Sequence, residues 1–178
     1  RWIRASLQGS SATLANAGLI EADDGIAGVH LTGAGASVAL SGTGTVSANG
    51  SADGVLIDST VTGGGLAAGA TSIAVGGSGK GIDNQGTNAM ITLAGTQIGT
   101  TGSGADGLSS TGAGARIAAD AATVVRTTGD NARGFVVSGA DSTLAVNGTT
   151  VTTTGAGSAA IGTTGGATVL LAGAKITT

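Results

Sequence analysis

Residues 92–110 read TLAGTQIGTTGSGADGLSS, and residues 146–164 read VNGTTVTTTGAGSAAIGTT. Both segments begin with apolar and small residues, pass through Thr, a β-branched residue, Thr and Gly, and reach a small residue before Leu or Ile. Such similarity between separate segments indicates an internal repeat, and a repeat decides the architecture of a chain before any single motif does.

Three columns of mostly aliphatic residues recur along the chain with one shared period of about 26 residues. The first column contains Val29, Val55, Ile82, Leu108, Phe135 and Ile161. The second contains Leu14, Leu40, Leu66, Leu93, Ala119, Val146 and Leu171, and the third contains Ile20, Val46, Ile73, Ile98, Val124, Val151 and Ile176. Three columns with one period indicate that each circuit of the chain places residues at the same three positions.

Large aliphatic residues alternate with small or polar ones within each circuit, as in Ile91-Thr92-Leu93 and Leu144-Ala145-Val146, and this alternation is typical of β-strands. Glycine recurs between the strands, where a corner needs a positive φ or a close approach of neighbouring circuits. The sequence therefore predicts an all-β fold, a right-handed single-stranded parallel β-helix (solenoid) with three short strands and about 26 residues per rung. About six and a half rungs at roughly 4.8 Å each give a rod on the order of 30 Å long.

Two segments depart from the period. Gly64, inside TVTGGGLAAG, stands where other rungs carry Val38 or Ile91, and we expect a weakened or bulged strand there. Residues 1–13 fit the period poorly and are interpreted as an irregular partial rung. We expect residues 1–178 to form one β-helix segment that is a fragment of a longer protein.

The composition excludes several classes of protein. The chain of 178 residues has 36 Gly and no Pro or Cys, but Gly does not occupy every third position, so it is not collagen. Only 10% of the residues are charged while 40% are hydrophobic, which is atypical of disorder. The formal net charge of -3 argues against a nucleic-acid partner, and no apolar run is long enough to span a membrane.

Two groups of charged residues are candidate sites. Asp53, Lys80, Asp106 and Arg133 precede consecutive first-column glycines, and stacking would make them a ladder of alternating charge. Such a ladder sets the register of surface strands, although a track for a polar ligand is the alternative. The segment RTTGDNARGF, residues 126–135, is the most charged stretch, and Arg126, Asp130 and Arg133 are a candidate contact loop.

Threonine recurs where the third strand of each rung ends, in the pairs Thr100-Thr101 and Thr127-Thr128 and in Thr152-Thr153-Thr154. A flat array of threonines in register would suit an ice-binding solenoid. The simpler interpretation is β-propensity at a solvated turn, because Thr-x-Thr appears only at Thr152 to Thr154 within this column.

Motifs for catalysis or metal binding are weak. The ten acidic residues are scattered rather than clustered, and His30, the single histidine, lies next to a core position and is interpreted as a surface residue. GGSGKGIDN at 76–84 departs from the calcium-binding nonapeptide and does not recur every nine residues, while the sequons at Asn49 and Asn147 are interpreted as Asn-Gly turns. We predict no catalytic residues, no cofactor and no metal.

The segments GATVLLAGAKITT (166–178), TLAVNGTTVTTTGAGSAAIG (143–162) and TLAGTQIGTTGSGADGLSS resemble the passenger repeats of pertactin-like autotransporters, which are secreted bacterial β-helices. The resemblance covers about residues 28–178. It implies a right-handed β-helix that a C-terminal barrel exports, and a location at the Gram-negative cell surface or outside the cell. No active-site motif of the family matches a position in this chain.

The resemblance also implies a role. We expect a non-catalytic passenger segment that acts in adhesion to host cells or matrix, or in bacterial self-association. The partner would be a host-cell surface or extracellular-matrix protein, or a neighbouring passenger. The alternatives are a spacer stalk that carries a functional domain elsewhere, a polysaccharide-cleaving β-helix enzyme and an ice-binding solenoid. The open ends of the rod also predict self-association of the isolated chain.

Overall fold

The computed structural model describes residues 5–178, which form 21 β-strands and no helix. Sheet 1 contains β1 (Ala5–Gln8), β4 (Ala27–Thr32), β7 (Asp53–Ile57), β10 (Ile82–Asn84), β13 (Leu108–Ser110), β16 (Phe135–Val137) and β19 (Ile161–Thr163). Sheet 2 contains β2 (Ser11–Ala15), β5 (Ser37–Ser41), β8 (Gly65–Gly69), β11 (Met90–Ala94), β14 (Arg116–Ala119), β17 (Thr143–Asn147) and β20 (Thr168–Ala172). Sheet 3 contains β3 (Leu19–Asp23), β6 (Thr45–Asn49), β9 (Ser72–Val75), β12 (Gln97–Thr100), β15 (Val124–Thr127), β18 (Thr150–Thr153) and β21 (Lys175–Thr177).

The strands stack as a parallel β-solenoid. Every third strand returns to the same sheet, and each strand from β4 to β18 pairs in parallel with the strand one circuit before it and the strand one circuit after it. One rung therefore consists of one strand from each sheet, and each sheet holds seven strands where the sequence predicts about six and a half rungs. The predicted all-β solenoid with three strands and about 26 residues per rung is confirmed.

The first predicted column of core residues is confirmed throughout. Val29 pairs with Val55, and the series continues through Ile82, Leu108, Phe135 and Ile161 in one unbroken register. The first five of these side chains are fully buried. Because a single rung cannot enclose its own apolar side chains, these vertical contacts supply most of the hydrophobic stabilisation.

The second and third columns each contain one wrong residue. In the second, Ala68 and not Leu66 pairs with Leu40 and Leu93. In the third, Val125 and not Val124 pairs with Ile98 and Val151. Both errors come from following the period of the sequence, because Ala68 lies two residues after Leu66 and Val125 lies one residue after Val124. A shift of two residues keeps the side chain on the inner face, as for Leu66, whereas a shift of one residue turns it to the other face, as for Val124.

The weakened strand predicted at Gly64 is not found. Gly64 lies just before β8, and Leu66 takes the inward position between Val38 and Ile91. A Cβ at Gly64 would overlap the carbonyl oxygen of Ala36, and one at Gly65 would overlap that of Met90. The two glycines thus let the backbone of this rung pack closely against the backbones of the neighbouring rungs, and β8 itself stays intact.

Residues 5–13 join the stack at the start of the rod, and residues 1–4 of the predicted partial rung lie outside the described residues. Strand β1 pairs with β4 and β2 pairs with β5, both in parallel. The poor fit to the period reflects a shorter interval, because Ala5 pairs with Val29 only 24 positions later whereas Leu14 pairs with Leu40, 26 positions later.

One column of glycines is required by close packing. A Cβ at Gly107 would lie 2.5 Å from Val125 Cγ1 and 2.6 Å from the carbonyl oxygen of Gly134. The equivalent positions Gly28, Gly54, Gly81 and Gly134 meet the same two kinds of neighbour. These glycines lie at or just before the strands of sheet 1, where a side chain of sheet 3 and a carbonyl group of the next rung leave no space for a methyl group.

We expect Gly107→Ala to lower the free energy of unfolding by about 1–3 kcal/mol, because the new methyl group overpacks a closed contact. Gly99→Ala is the matched control, since no neighbouring atom lies within 4 Å of its Cβ position. It should be neutral or stabilising by about 0.5–1 kcal/mol, because alanine is less costly than glycine in a strand. Urea unfolding followed by circular dichroism distinguishes them, and equal destabilisation would contradict the packing described.

Candidate binding surface

The predicted charge ladder forms along the edge where the chain enters sheet 1. Asp53 pairs in register with Ala27, and its Oδ1 accepts a hydrogen bond of 2.7 Å from the backbone N–H of Lys80, one rung later. The Lys80 ammonium turns instead to Asp83, with Nζ 2.9 Å from Oδ1. Asp53 is therefore linked to the next rung through the backbone of Lys80, while the Lys80 side chain neutralises Asp83, which is outside the ladder.

Asp106 and Arg133, the other two residues of the ladder, form a direct ion pair. Asp106 Oδ1 accepts the backbone N–H of Arg133 at 2.8 Å and its Nε–H at 3.2 Å, and Oδ2 accepts from Nη2 at 3.2 Å. The Asp106 side chain is only 4% exposed, whereas that of Arg133 is 45% exposed. The pairing is bidentate and partly buried, unlike the exposed surface contact that the sequence suggested, and it fixes two rungs together.

Burial raises the pKa of Asp53 to about 6, and the nearby charge of Asp83 adds to that rise. The backbone hydrogen bond and the charge of Lys80 oppose it without cancelling it. Asp83 itself is buried and accepts a hydrogen bond of 2.9 Å from Gln85 Nε2. Burial is therefore the main cause of the rise, and a proton on Asp53 also relieves its repulsion with the Asp83 carboxylate.

This arrangement predicts a pH dependence of stability. Because the pKa of Asp53 is higher in the folded state, this group holds more protons in the folded than in the unfolded chain between about pH 4 and 6, and its contribution to stability falls as the pH rises through that window. The pKa of Asp58 is lowered by hydrogen bonds from Thr60, and that of Asp120 mainly by one from Gly95, so their stabilisation is lost only below that window.

Asp53→Asn keeps an acceptor for the Lys80 N–H and removes the ionisation. We expect the stability of the native chain, relative to this variant, to decline from pH 4 to pH 6.5 in urea titrations. A difference between the two chains that is constant across the window would contradict the raised pKa.

The candidate contact loop is divided between two sites. Arg126 lies exposed on the outer face of β15, while Arg133 is bound to Asp106 beside sheet 1. Asp130 lies in the turn between them, and its Oδ1 accepts the backbone N–H of Ala156 at 2.9 Å. Among residues 5–178 no ion pair joins Arg126 to Asp130. Asp130 and Arg133 both bind neighbouring rungs, so Arg126 is the charge of this group that makes no hydrogen bond or ion pair with the described residues.

The threonines at the end of sheet 3 divide between interior and exterior. Thr100, Thr127 and Thr153 are stacked in register and buried, unlike the solvated position that the sequence suggested, whereas Thr101, Thr128 and Thr154, which follow them, are exposed. Thr100 Oγ1 donates to the carbonyl oxygen of Ala105. The residues just before these threonines, Gly99, Arg126 and Thr152, form a column on the outer face of sheet 3. This column is not a flat array of threonines.

His30 lies on the outer side of β4 with a side chain 20% exposed. Its Nε2 is 3.9 Å from Asp58 Oδ2, and Asp58 in turn accepts hydrogen bonds from the backbone and hydroxyl of Thr60. Across residues 5–178, no three His, Cys, Asp or Glu side chains converge on a point where a metal ion would be held. In the same residues, no helix has the length and apolar character needed to cross a bilayer.

A shallow depression of about 500 Å³ crosses the outer face of sheet 2 in the first four rungs. Its floor consists of small residues, and the Met90 side chain, 62% exposed, forms one wall. Hydroxyl groups line it, and Ser11 Oγ lies 2.8 Å from Ser37 Oγ. A second depression of about 230 Å³ with apolar lining adjoins it over Ala39 and Ala67. Together they form one concave area on the outer face of sheet 2.

The depression was not predicted from the sequence, although the sequence contains its cause. The interval from Val38 to its partner Leu66 is 28 positions, and the interval from Leu66 to Ile91 is 25. The extra residues include Gly63, Gly64 and Gly65, which place bare backbone where other rungs have side chains. A run of three glycines beside a stretched period is the signal that would have located it.

Comparisons of the chain with protein-family models, with curated proteins and with solved structures gave no match. The class of the protein is therefore defined by its own geometry. It is a parallel β-solenoid built from a repeat of about 26 residues, with a charged edge beside sheet 1 and a shallow hydroxyl-lined depression on sheet 2.

Proposed function

We propose that the chain is a non-catalytic segment of a bacterial autotransporter passenger of the pertactin-like kind. In this proposal it acts at the cell surface or after secretion, in adhesion to host cells or matrix or in bacterial self-association. The observation that carries the proposal is that the segments resembling that family, residues 92–110 and 143–162, each run once around the solenoid from sheet 2 through sheet 3 into sheet 1.

The geometry suggests how such a segment would bind. Stacked rungs form a stiff rod, and the outer face of sheet 2 offers hydroxyl groups and small apolar side chains over several rungs. Each contact on so shallow a surface is weak. Many copies displayed side by side on a cell bind together, however, and avidity then exceeds the affinity of one contact by orders of magnitude.

The test displays the segment on a Gram-negative cell through an autotransporter barrel and measures attachment to host cells, to matrix-coated beads and between the bacteria themselves. Ala67→Arg fills the depression from an exposed position on β8. Ala145→Arg is the matched control, because Ala145 is also an outward-facing alanine, on β17, two strands beyond Thr92 at the rim of the depression. We expect Ala67→Arg to lose attachment and Ala145→Arg to keep it.

A second variant separates adhesion from a spacer role, which the uniform stacking of the rungs would also serve. Deleting residues 82–107 removes one complete rung, because Ile82 and Leu108 occupy equivalent positions on the stack. The deletion also removes Met90 and Thr92 from the depression. Attachment should fall if the segment binds. Unchanged attachment in both this variant and Ala67→Arg would contradict adhesion and assign the chain to a spacer.

A further inference from the structure

Two Asn-Gly pairs, Asn49-Gly50 and Asn147-Gly148, lie where a strand of the rod ends, and both asparagine side chains are exposed. The backbone contacts of the two glycines differ. Gly148 N–H donates to the carbonyl oxygen of Ala172, one rung later, at 2.7 Å. Gly50 N–H makes no hydrogen bond within the part of the chain that the structure describes. The next rung therefore holds the Gly148 nitrogen in place and leaves the Gly50 nitrogen unbound.

Gly50 lies in a tight turn that only glycine fits. The Ala52 N–H donates to the carbonyl oxygen of Asn49 at 3.2 Å, and the φ of Gly50 is +63°. A positive φ favours glycine, and a Cβ at this position would overlap Oδ1 of Asp24. The residue after Asn49 thus has no side chain that could shield the amide carbon of Asn49 from its own backbone.

We propose that Asn49 is a site of spontaneous deamidation. In this reaction the backbone nitrogen of Gly50 attacks the side-chain amide carbon of Asn49, and a bond forms between nitrogen and carbon. The amide nitrogen leaves as ammonia together with the proton of the Gly50 nitrogen. Water then opens the cyclic imide at either carbonyl carbon, which gives aspartate or, with an extra methylene group in the backbone, isoaspartate. Water is the sole co-reactant.

The backbone contacts decide which asparagine reacts. Before it attacks, the glycine nitrogen must lose its proton and turn towards the side chain, so any hydrogen bond that it donates has to break first. Gly148 makes such a bond, whereas Gly50 does not. A hydrogen bond of ordinary net strength corresponds to a rate difference of roughly tenfold. The fold therefore protects Asn147 and leaves Asn49 reactive.

The product weakens the contact between the first two rungs. Asn49 on β6 pairs in register with Asp23 on β3, and its Nδ2 donates to Asp23 Oδ1 at 2.9 Å. Deamidation replaces this donor with a carboxylate, so like charges face each other directly across the sheet, which is destabilising. The carboxylate of Asp24 lies against Gly50 and adds to the repulsion. Deamidation thus loosens β3 from β6. The inference rests on the fold and not on the proposed adhesion.

The test incubates the 178-residue chain in mildly alkaline buffer and follows each asparagine by mass spectrometry. Cleavage after lysine and arginine places Asn49 in the peptide 5–80 and Asn147 in the peptide 134–175. Fragment spectra locate each conversion of an amide into an acid. We expect Asn49 to convert roughly tenfold faster than Asn147, with both aspartate and isoaspartate among the products.

The same incubation in urea is the control, because unfolding removes the hydrogen bond of Gly148. Both sites are Asn-Gly pairs followed by a hydroxyl residue, so they should react at similar rates in the unfolded chain. The proposal would be overturned if Asn49 did not convert in the folded chain, or if Asn147 converted as fast. A difference in rate that persisted in urea would also overturn it, since the fold would then not be the cause.

Asn49→Asp tests the effect of the product on the stack. We expect this variant to unfold at a lower urea concentration than the native chain, because its new carboxylate faces Asp23. Adding Asp23→Asn places an amide opposite the carboxylate again and should recover most of the loss. Circular dichroism checks that each variant is folded. Native stability in Asn49→Asp would contradict the loosening of β3 from β6.

Discussion

Val125→Asp is expected to unfold the chain at room temperature or to lower its free energy of unfolding by at least about 3 kcal/mol. Val125 is completely buried on β15, where it packs between Ile98 and Val151 in the third core column. A carboxylate in that position would lose its hydration without gaining a partner, which is among the most costly changes a core can undergo. Urea titration followed by circular dichroism measures the loss.

The matched control is the preceding residue. Val124 lies on the same strand, but it is half-buried and points to the outer face. Val124→Asp should cost only about 1 kcal/mol, mainly through the poor β-propensity of Asp. The pair is informative because a regular period of the sequence selects Val124 for the core. If Val124→Asp were the more damaging of the two, the register of β15 would be wrong.

Phe135→Ala is expected to cost about 3–5 kcal/mol, because it removes a fully buried aromatic ring and leaves a cavity between two rungs. Phe135 is the largest of the fully buried side chains described and lies between Leu108 and Ile161. Among residues 5–178 the sequence has no other Phe, Tyr or Trp, so no second such ring in that part of the chain is available to fill the space.

Phe135→Leu separates the volume of the side chain from its aromatic character. Leucine already occupies this column at Leu108, so we expect a cost below about 1.5 kcal/mol. Thermal and urea unfolding of both variants provide the measurement. A cost for Phe135→Leu as large as that for Phe135→Ala would mean that the column is not the simple apolar stack described.

The fold could be predicted from the sequence because every rung of a solenoid has the same structure, so the sequence repeats with the length of one rung. Residues such as Val55 and Ile82 recur at the same point of each circuit because each circuit needs the same core. A period does not reveal where a rung absorbs an extra residue. Leu66 and Val124 were therefore placed in the wrong columns, by two residues and by one residue, and only backbone pairing settles such shifts.

Polar groups in the interior were also beyond prediction. Asn84 and Ser110 occupy the inward column that holds Ile57 and Val137 in other rungs, and both are fully buried. They are tolerated because Asn84 Nδ2 donates to Ser110 Oγ at 2.9 Å while its Oδ1 accepts from the backbone of Gly86. Residue type alone places Asn and Ser outside, whereas vertical neighbours that satisfy one another allow them inside.

The same rule applies to the candidate sites: a feature that follows the period could be predicted, and a feature that departs from it could not. The alternation of Asp53, Lys80, Asp106 and Arg133 was visible in the sequence because it follows the period. Their actual partners were not, since these depend on how far each side chain reaches across a rung. The depression on sheet 2 arises where the sequence departs from the period, so a search for regular intervals does not detect it.

The most direct test of the stacked solenoid is a set of distances between spin labels along one column. The chain contains no cysteine, so labels can be attached to cysteines introduced at Thr177 and, in separate samples, at Ala74 or Glu21. These residues belong to one outward column of sheet 3, in which Ala74 lies four rungs and Glu21 six rungs from Thr177. Excess unlabelled chain removes contributions from association.

With about 4.8 Å per rung, double electron–electron resonance should give roughly 19 Å for the first pair and roughly 29 Å for the second. The account predicts that order and a difference of about 10 Å between the pairs. Equal distances, or a shorter distance to Glu21 than to Ala74, would contradict the parallel stacking of the rungs.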